Sequence, residues 1–177
     1  MKGRFAALIL AALLSACATS PNVKTDYDPG ANFTRFQTYS WISRPDGGSP
    51  LMQQRIVDGV DSRLQARGLK LVPSGGEVHV AAHVTTTERQ TLNTTYNNFG
   101  YSWGGFDPAT SSSFTTVDTF EVGTLVVDMF DGKAKKALWR GTASGTVQDD
   151  PARQTAQLQA ALDKMFAGFP PGSAPAK

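Results

Sequence analysis

The chain has a single cysteine in 177 residues, so no internal disulfide can form in any compartment. It has two histidines, His79 and His83. Four residues apart on a strand, they stand ~13 Å from each other, too far for one metal ion without further ligands. Glu77 and Glu88 are not placed to complete such a set. The reading is therefore surface histidines, with no metal and no cofactor. No apolar run reaches the ~20 residues of a membrane-spanning helix. An excess of one charge is missing too, with 17 Lys and Arg against 15 Asp and Glu. There is no G-x-S-x-G elbow, no Gly-rich phosphate loop and no cluster with metal-ligand spacing, so no catalytic residues are assigned. Internal repeats and coiled-coil heptads are also absent. The length suits one domain and is short for two.

What is present begins at the N-terminus. Lys2 and Arg4 precede a ten-residue apolar run, Phe5 to Leu14, and then Leu14-Ser15-Ala16-Cys17. Charge, apolar run, small residues and Cys in that order resemble the lipobox signal of bacterial lipoproteins. The resemblance implies cleavage between Ala16 and Cys17, thioether lipidation of Cys17 and acylation of the new amino terminus. One acyl chain binds a membrane marginally, whereas two or more anchor stably. Losing residues 1–16 removes two cations and no acid, which takes the formal charge from +2 to zero. A neutral mature chain lacks the clustered basic surface of a nucleic-acid binder, so no nucleic-acid partner is expected. An Asp after the cysteine would resemble an inner-membrane retention signal. Ala18 stands there, which implies the outer membrane and its periplasmic face in a host with two membranes. The expected organisation is a signal peptide over 1–16, a lipidated tether over 17–22, one domain over 23–170 and a disordered tail over 171–177.

The stretch Glu121 to Gly145 reads as the centre of the fold. Two β-rich runs flank DGKAKK, which opens with the turn signal Asp131-Gly132. The hairpin register that keeps one face apolar sets Asp128 opposite Arg140, Met129 opposite Trp139, Val127 opposite Gly141 and Leu125 opposite Ala143. Side chains alternate faces, so a slip of one residue would mix the apolar and polar sets. Asp128 and Arg140 read as a cross-strand ion pair on a half-exposed face. Gly141 and Gly145 leave room for Trp139 and a covering helix.

Ser49-Pro50 signals a helix start, with Met52, Ile56, Val57, Val60 and Leu64 as its buried stripe. Arg55, Asp58, Asp61, Arg63 and Gln65 fall on its wet face. Gly68 closes it, followed by Leu69. Asp150-Pro151 signals a second helix with the stripe Leu158, Ala161, Leu162, Met165, Phe166 and Phe169. A short edge strand around Val23 to Tyr27, another over Gln37 to Ile42 and a long one over Glu77 to Leu92 complete the pattern. The region Asn93 to Ser113 is expected to be a long loop. It mixes Gly, Ser and Asn with Tyr96, Phe99, Tyr101, Trp103 and Phe106. Two readings stay open: a hairpin tip whose aromatics fold back on the sheet, or an exposed interaction loop.

Several motifs together resemble the DUF4136 family of bacterial lipoproteins, a domain of unknown function. They are Asp26-Tyr27-Asp28-Pro29 with Asn32-Phe33, Thr38-Tyr39-Ser40-Trp41, Gly123 to Asp128, Leu138-Trp139-Arg140-Gly141 and Phe169-Pro170-Pro171. The resemblance spans nearly all of residues 22–171 and implies a fold and a location, not an activity. The element order suggests α+β, an antiparallel sheet with two helices on one face in a two-layer sandwich. The expected function is a non-catalytic, membrane-anchored envelope lipoprotein that faces the periplasm as a binding or structural module. Its partners would be the membrane, through Cys17, and an envelope protein or cell-wall component. The alternative is a periplasmic hydrolase or a small-ligand-binding protein.

Overall fold

The computed structural model describes residues 20–97 and 112–171, and for Tyr96, Asn97, Ser112 and Ser113 the backbone alone. Among these residues, six strands form one sheet: β1 (Asn22–Tyr27), β2 (Thr38–Ser43), β3 (Lys70–Leu71), β4 (Val78–Asn97), β5 (Ser112–Asp131) and β6 (Ala137–Thr146). Two helices, α1 (Pro50–Gln65) and α2 (Pro151–Phe166), accompany it. The strands lie in the order β1-β6-β5-β4-β2-β3. The protein is α+β as expected, but the sheet is mixed and not antiparallel. β2 runs parallel to both β3 and β4. The cause is α1, which carries the chain back after β2 so that the next strands enter in the same direction.

The central hairpin takes the register that the apolar pattern demands. Asp128 faces Arg140, Met129 faces Trp139, Val127 faces Gly141 and Leu125 faces Ala143. Asp131 shapes its turn, with one carboxylate oxygen accepting from the amides of Lys133 and Ala134, each at 2.8 Å. A Cβ at Gly141 would lie 2.4 Å from Trp139 and 2.4 Å from Met165 of α2. The bare backbone there lets the helix sit down on the indole.

Both helices start where their caps dictate. Ser49 Oγ accepts from the Met52 amide at 3.3 Å, with Pro50 in the first helical position. Gly68 adopts φ +88°, and the buried Leu69 donates its amide to the Leu64 carbonyl at 3.2 Å, closing α1. Asp150 accepts from the amides of Ala152 and Arg153 at 2.7 and 2.9 Å. These amides hold its carboxyl below the usual range, Arg153 most and Ala152 next. Asp150→Ala should therefore lower the denaturant midpoint, and Asp150→Asn should restore most of the loss. An alanine variant with the wild-type midpoint would show that the cap is dispensable.

Ile56, Val60 and Leu64 of α1 join Leu158, Leu162, Met165 and Phe166 of α2 in one buried cluster. The cluster also holds Val78, Val80 and Ala82 of β4, Leu125, Val127 and Met129 of β5, and Trp139 and Ala143 of β6. Trp139 sits at its centre, 5.2 Å from the ring of Phe166 and 5.4 Å from that of Phe169. Two residues expected on the wet face of α1 are not there. Arg63 turns between the helices and donates to the carbonyls of Gly59 and Gln159 and to Asp163. Asp61 accepts from Tyr39 Oη at 2.8 Å and Trp41 Nε1 at 2.9 Å. A helix packed against both a sheet and another helix covers more than one stripe, so its polar neighbours become structural partners.

Candidate functional site

Two features remain after packing and capping are accounted for: an apolar cleft and a projecting ribbon. The cleft holds about 260 Å³ and opens between the N-terminal ends of α1 and α2, above the sheet. Its floor follows from the register. Val84, Leu125 and Ala143 form one cross-strand row on the face that lines the cleft, and Thr86, Gly123 and Gly145 form the next. Met52 and Ile56 come from α1, Leu158 and Ala161 from α2, and Pro21 closes one side. The second row is nearly bare backbone, so space remains where the helices end. Gln148, Gln154 and Gln157 stand among the lining residues as amides, and among the described residues no charged one lines the cleft. Such a site takes a neutral, aliphatic group, with amides at hand for a polar end.

The ribbon is the far part of β4 and β5. β6 leaves β5 at Val122, and β2 leaves β4 at Ala81. The Val147 amide still donates to the Glu121 carbonyl at 2.8 Å, and from Arg89 opposite Phe120 to Asn97 opposite Ser112 the two strands pair with each other alone. That is about 27 Å of two-stranded ladder. The pairing corrects the sequence reading, because Asn93 to Asn97 and Ser112 to Ser113 are strand, not loop. Alternating Thr residues in both segments give a strand pattern that the Asn and Ser content conceals. Leu92, Phe114 and Val117 are 68%, 63% and 52% exposed on it. Leu92 faces Val117, and Phe114 lies on the opposite face. Cross-strand hydrogen bonds hold the ladder: Asn93 donates to Asp118 at 2.7 Å, and the hydroxyls of Thr94 and Thr115 lie 3.1 Å apart. Tyr96 falls in β4, opposite Ser113. Phe99, Tyr101, Trp103 and Phe106 lie outside the described residues, as does Cys17.

The polar groups elsewhere brace turns and edges. Asp128 and Arg140 form a bidentate pair at 2.5 and 2.8 Å on the sheet face away from the cleft. His79 and His83 lie on that same face, and His83 Nδ1 is 2.7 Å from Asp46. Among the described residues, no three His, Cys, Asp or Glu side chains gather as metal ligands would. No described helix is long and apolar enough to cross a membrane.

Three carboxylates fix the end of the sheet remote from the ribbon. Glu77 accepts from the amides of Gln37 and Thr38, which lower its carboxyl. The amides of Ala134 and Lys133 lower Asp131, with Arg35 adding to the effect. A hydrogen bond from Lys136 lowers Asp28, and the Gly30 amide adds to it. Each folded value lies below the ordinary 3.8 of Asp or 4.5 of Glu. Near those ordinary values the unfolded chain takes up protons that the folded chain refuses, so falling pH favours unfolding. The denaturant midpoint should be level from pH 7 to about 5.5 and fall steadily towards pH 3. A midpoint level down to pH 3 would remove these carboxylates from the stability account.

These observations define a class of protein: a small α+β domain with a mixed sheet, an apolar cleft under its helices and a two-stranded projection. The chain belongs to the family described as "Domain of unknown function (DUF4136)", whose model matches residues 23–171. No curated protein matches it. Among solved structures, it is similar to a PDZ domain protein from Parabacteroides distasonis, with a TM-score of 0.55 and 13% identity. That match covers 88% of this chain and 37% of the other, so this chain spans little more than a third of its neighbour. It is also similar to PelC dodecamer structures from Paraburkholderia phytofirmans, at 12% identity over 82% of this chain and 97% of theirs, with TM-scores of 0.46 and 0.45. At 13% identity the likeness to the PDZ domain protein is one of fold alone.

Proposed function

We propose that this protein is a non-catalytic lipoprotein of the bacterial envelope. It is anchored to the outer membrane through Cys17, faces the periplasm, and works as a binding module through the β4–β5 ribbon. The observation that carries the reading is the ribbon. A lone two-stranded hairpin is marginal in water. This one nevertheless runs about 27 Å past its last sheet neighbours with Leu92, Phe114 and Val117 exposed. Unpaired edges and exposed apolar side chains are the means by which an extended element engages a partner protein or wall component. The aromatics Phe99, Tyr101, Trp103 and Phe106 fall in the segment that joins its two strands. We take the architecture as a two-layer sandwich with both helices on one sheet face, supported by the shared buried cluster. The small-ligand alternative has one observation in its favour, the uncharged cleft.

The anchor is tested directly. Wild-type protein should incorporate a fatty-acid probe and sediment with outer-membrane vesicles. Cys17→Ser should take up no label and remain unprocessed or soluble. Equal labelling of the two would overturn the anchor.

A further inference from the structure

We propose that the cleft between the helices and the sheet holds one acyl chain of the lipid carried by Cys17, the other chains remaining in the membrane. The proposal rests on the lipid anchor above and adds an occupant for the cleft. Three observations point to it. Among the described residues the lining carries no charge and presents Met52, Ile56, Val84, Leu125 and Leu158, which suits a methylene chain and disfavours a charged headgroup. The floor is open over Gly123, where a Cβ would meet nothing nearer than Val147 at 3.4 Å, while the Gln157 amide covers Gly145 at 2.6 Å and offers a polar group beside that space. The third is the path of the chain. Pro21 lines the cleft, and Cys17 lies four residues before it. Four residues span at most ~14 Å, so the lipid attachment point is within that reach of Pro21 in the cleft lining.

A tether that short makes docking intramolecular, with a high effective concentration for the chain that folds back. Two chains suffice to anchor, so a triacylated cysteine can give up one and stay on the membrane.

The test uses the full-length protein in cells fed a palmitate analogue that bears a photoactivatable diazirine. After irradiation, the labelled protein is digested and the crosslinked peptides are mapped. Crosslinks from Cys17-borne lipid to peptides containing Met52, Val84, Leu125 or Leu158 of the same molecule are expected. Gly123→Leu should lower that yield roughly tenfold, the factor for lost contact with about two methylenes. A Cβ at Gly123 meets nothing nearer than Val147 at 3.4 Å, so a side chain is admitted there. The wild-type map decides the matter even if that variant folds poorly. Labelled protein crosslinked only to bilayer lipid, to other proteins or between copies would overturn occupancy of the cleft and leave the anchor standing. Protein with no label on Cys17 would overturn both.

Discussion

Replacing Trp139 by Ala should destabilise the fold by about 3–5 kcal/mol, the largest single loss expected in the core. The indole is 3% exposed and packs against Phe166 and Phe169, the last of which also meets Phe33 at 5.6 Å. Its loss leaves a cavity under α2 and takes away the ring against which Phe166 and Phe169 pack. Neighbouring side chains cannot refill that space, because the strands beside it are fixed by the ladder on both sides of β6. The denaturant midpoint should fall sharply with an unchanged slope, since the same surface is exposed on unfolding. A loss under about 1 kcal/mol would place Trp139 outside the cooperative core.

The ribbon should behave in the opposite way. Changing Leu92, Phe114 and Val117 together to Thr keeps a strand-forming side chain at each site and removes the apolar surface. These residues are exposed, so stability should change by roughly 0.5 kcal/mol or less per site. Association with an envelope partner should weaken at least about tenfold, the loss of one interface hot spot. A large drop in stability would mean that the ribbon is covered by its own molecule. Unchanged association with an intact fold would mean that the ribbon is a passive projection.

Much of this architecture is legible in the sequence, and the reasons are local. The hairpin register follows from Asp131-Gly132 and the alternation of Leu125, Val127 and Met129, which leaves one solution with an unbroken apolar face. Ser49-Pro50 and Asp150-Pro151 mark both helix starts because an N-cap and a proline act within one turn. The parallel pairing of β2 is not legible. It depends on where α1 returns the chain, and strands of six and two residues carry no mark of direction. Arg63 and Asp61 mislead because charge alone suggests solvent, whereas contact with α2 and with Tyr39 decides their surroundings. The ribbon is half legible: its aromatics stand out, but a ladder without a buried face lacks the apolar alternation that identifies a strand. The cleft has no local signature, since it arises where two helices end over a row of glycines far apart in sequence.

A tethered domain that engages its partner through the ribbon should be caught in the act. In-cell crosslinking tests it most directly, with a photoactivatable amino acid placed singly at Leu92, Phe114 or Leu51. Leu51 is the matched control on α1, as exposed as Leu92 at 68%. A discrete crosslinked species is expected from Leu92 or Phe114, none from Leu51, and loss of that species when Cys17→Ser removes the anchor. Equal patterns from all three positions, or no species from either ribbon position, would contradict it.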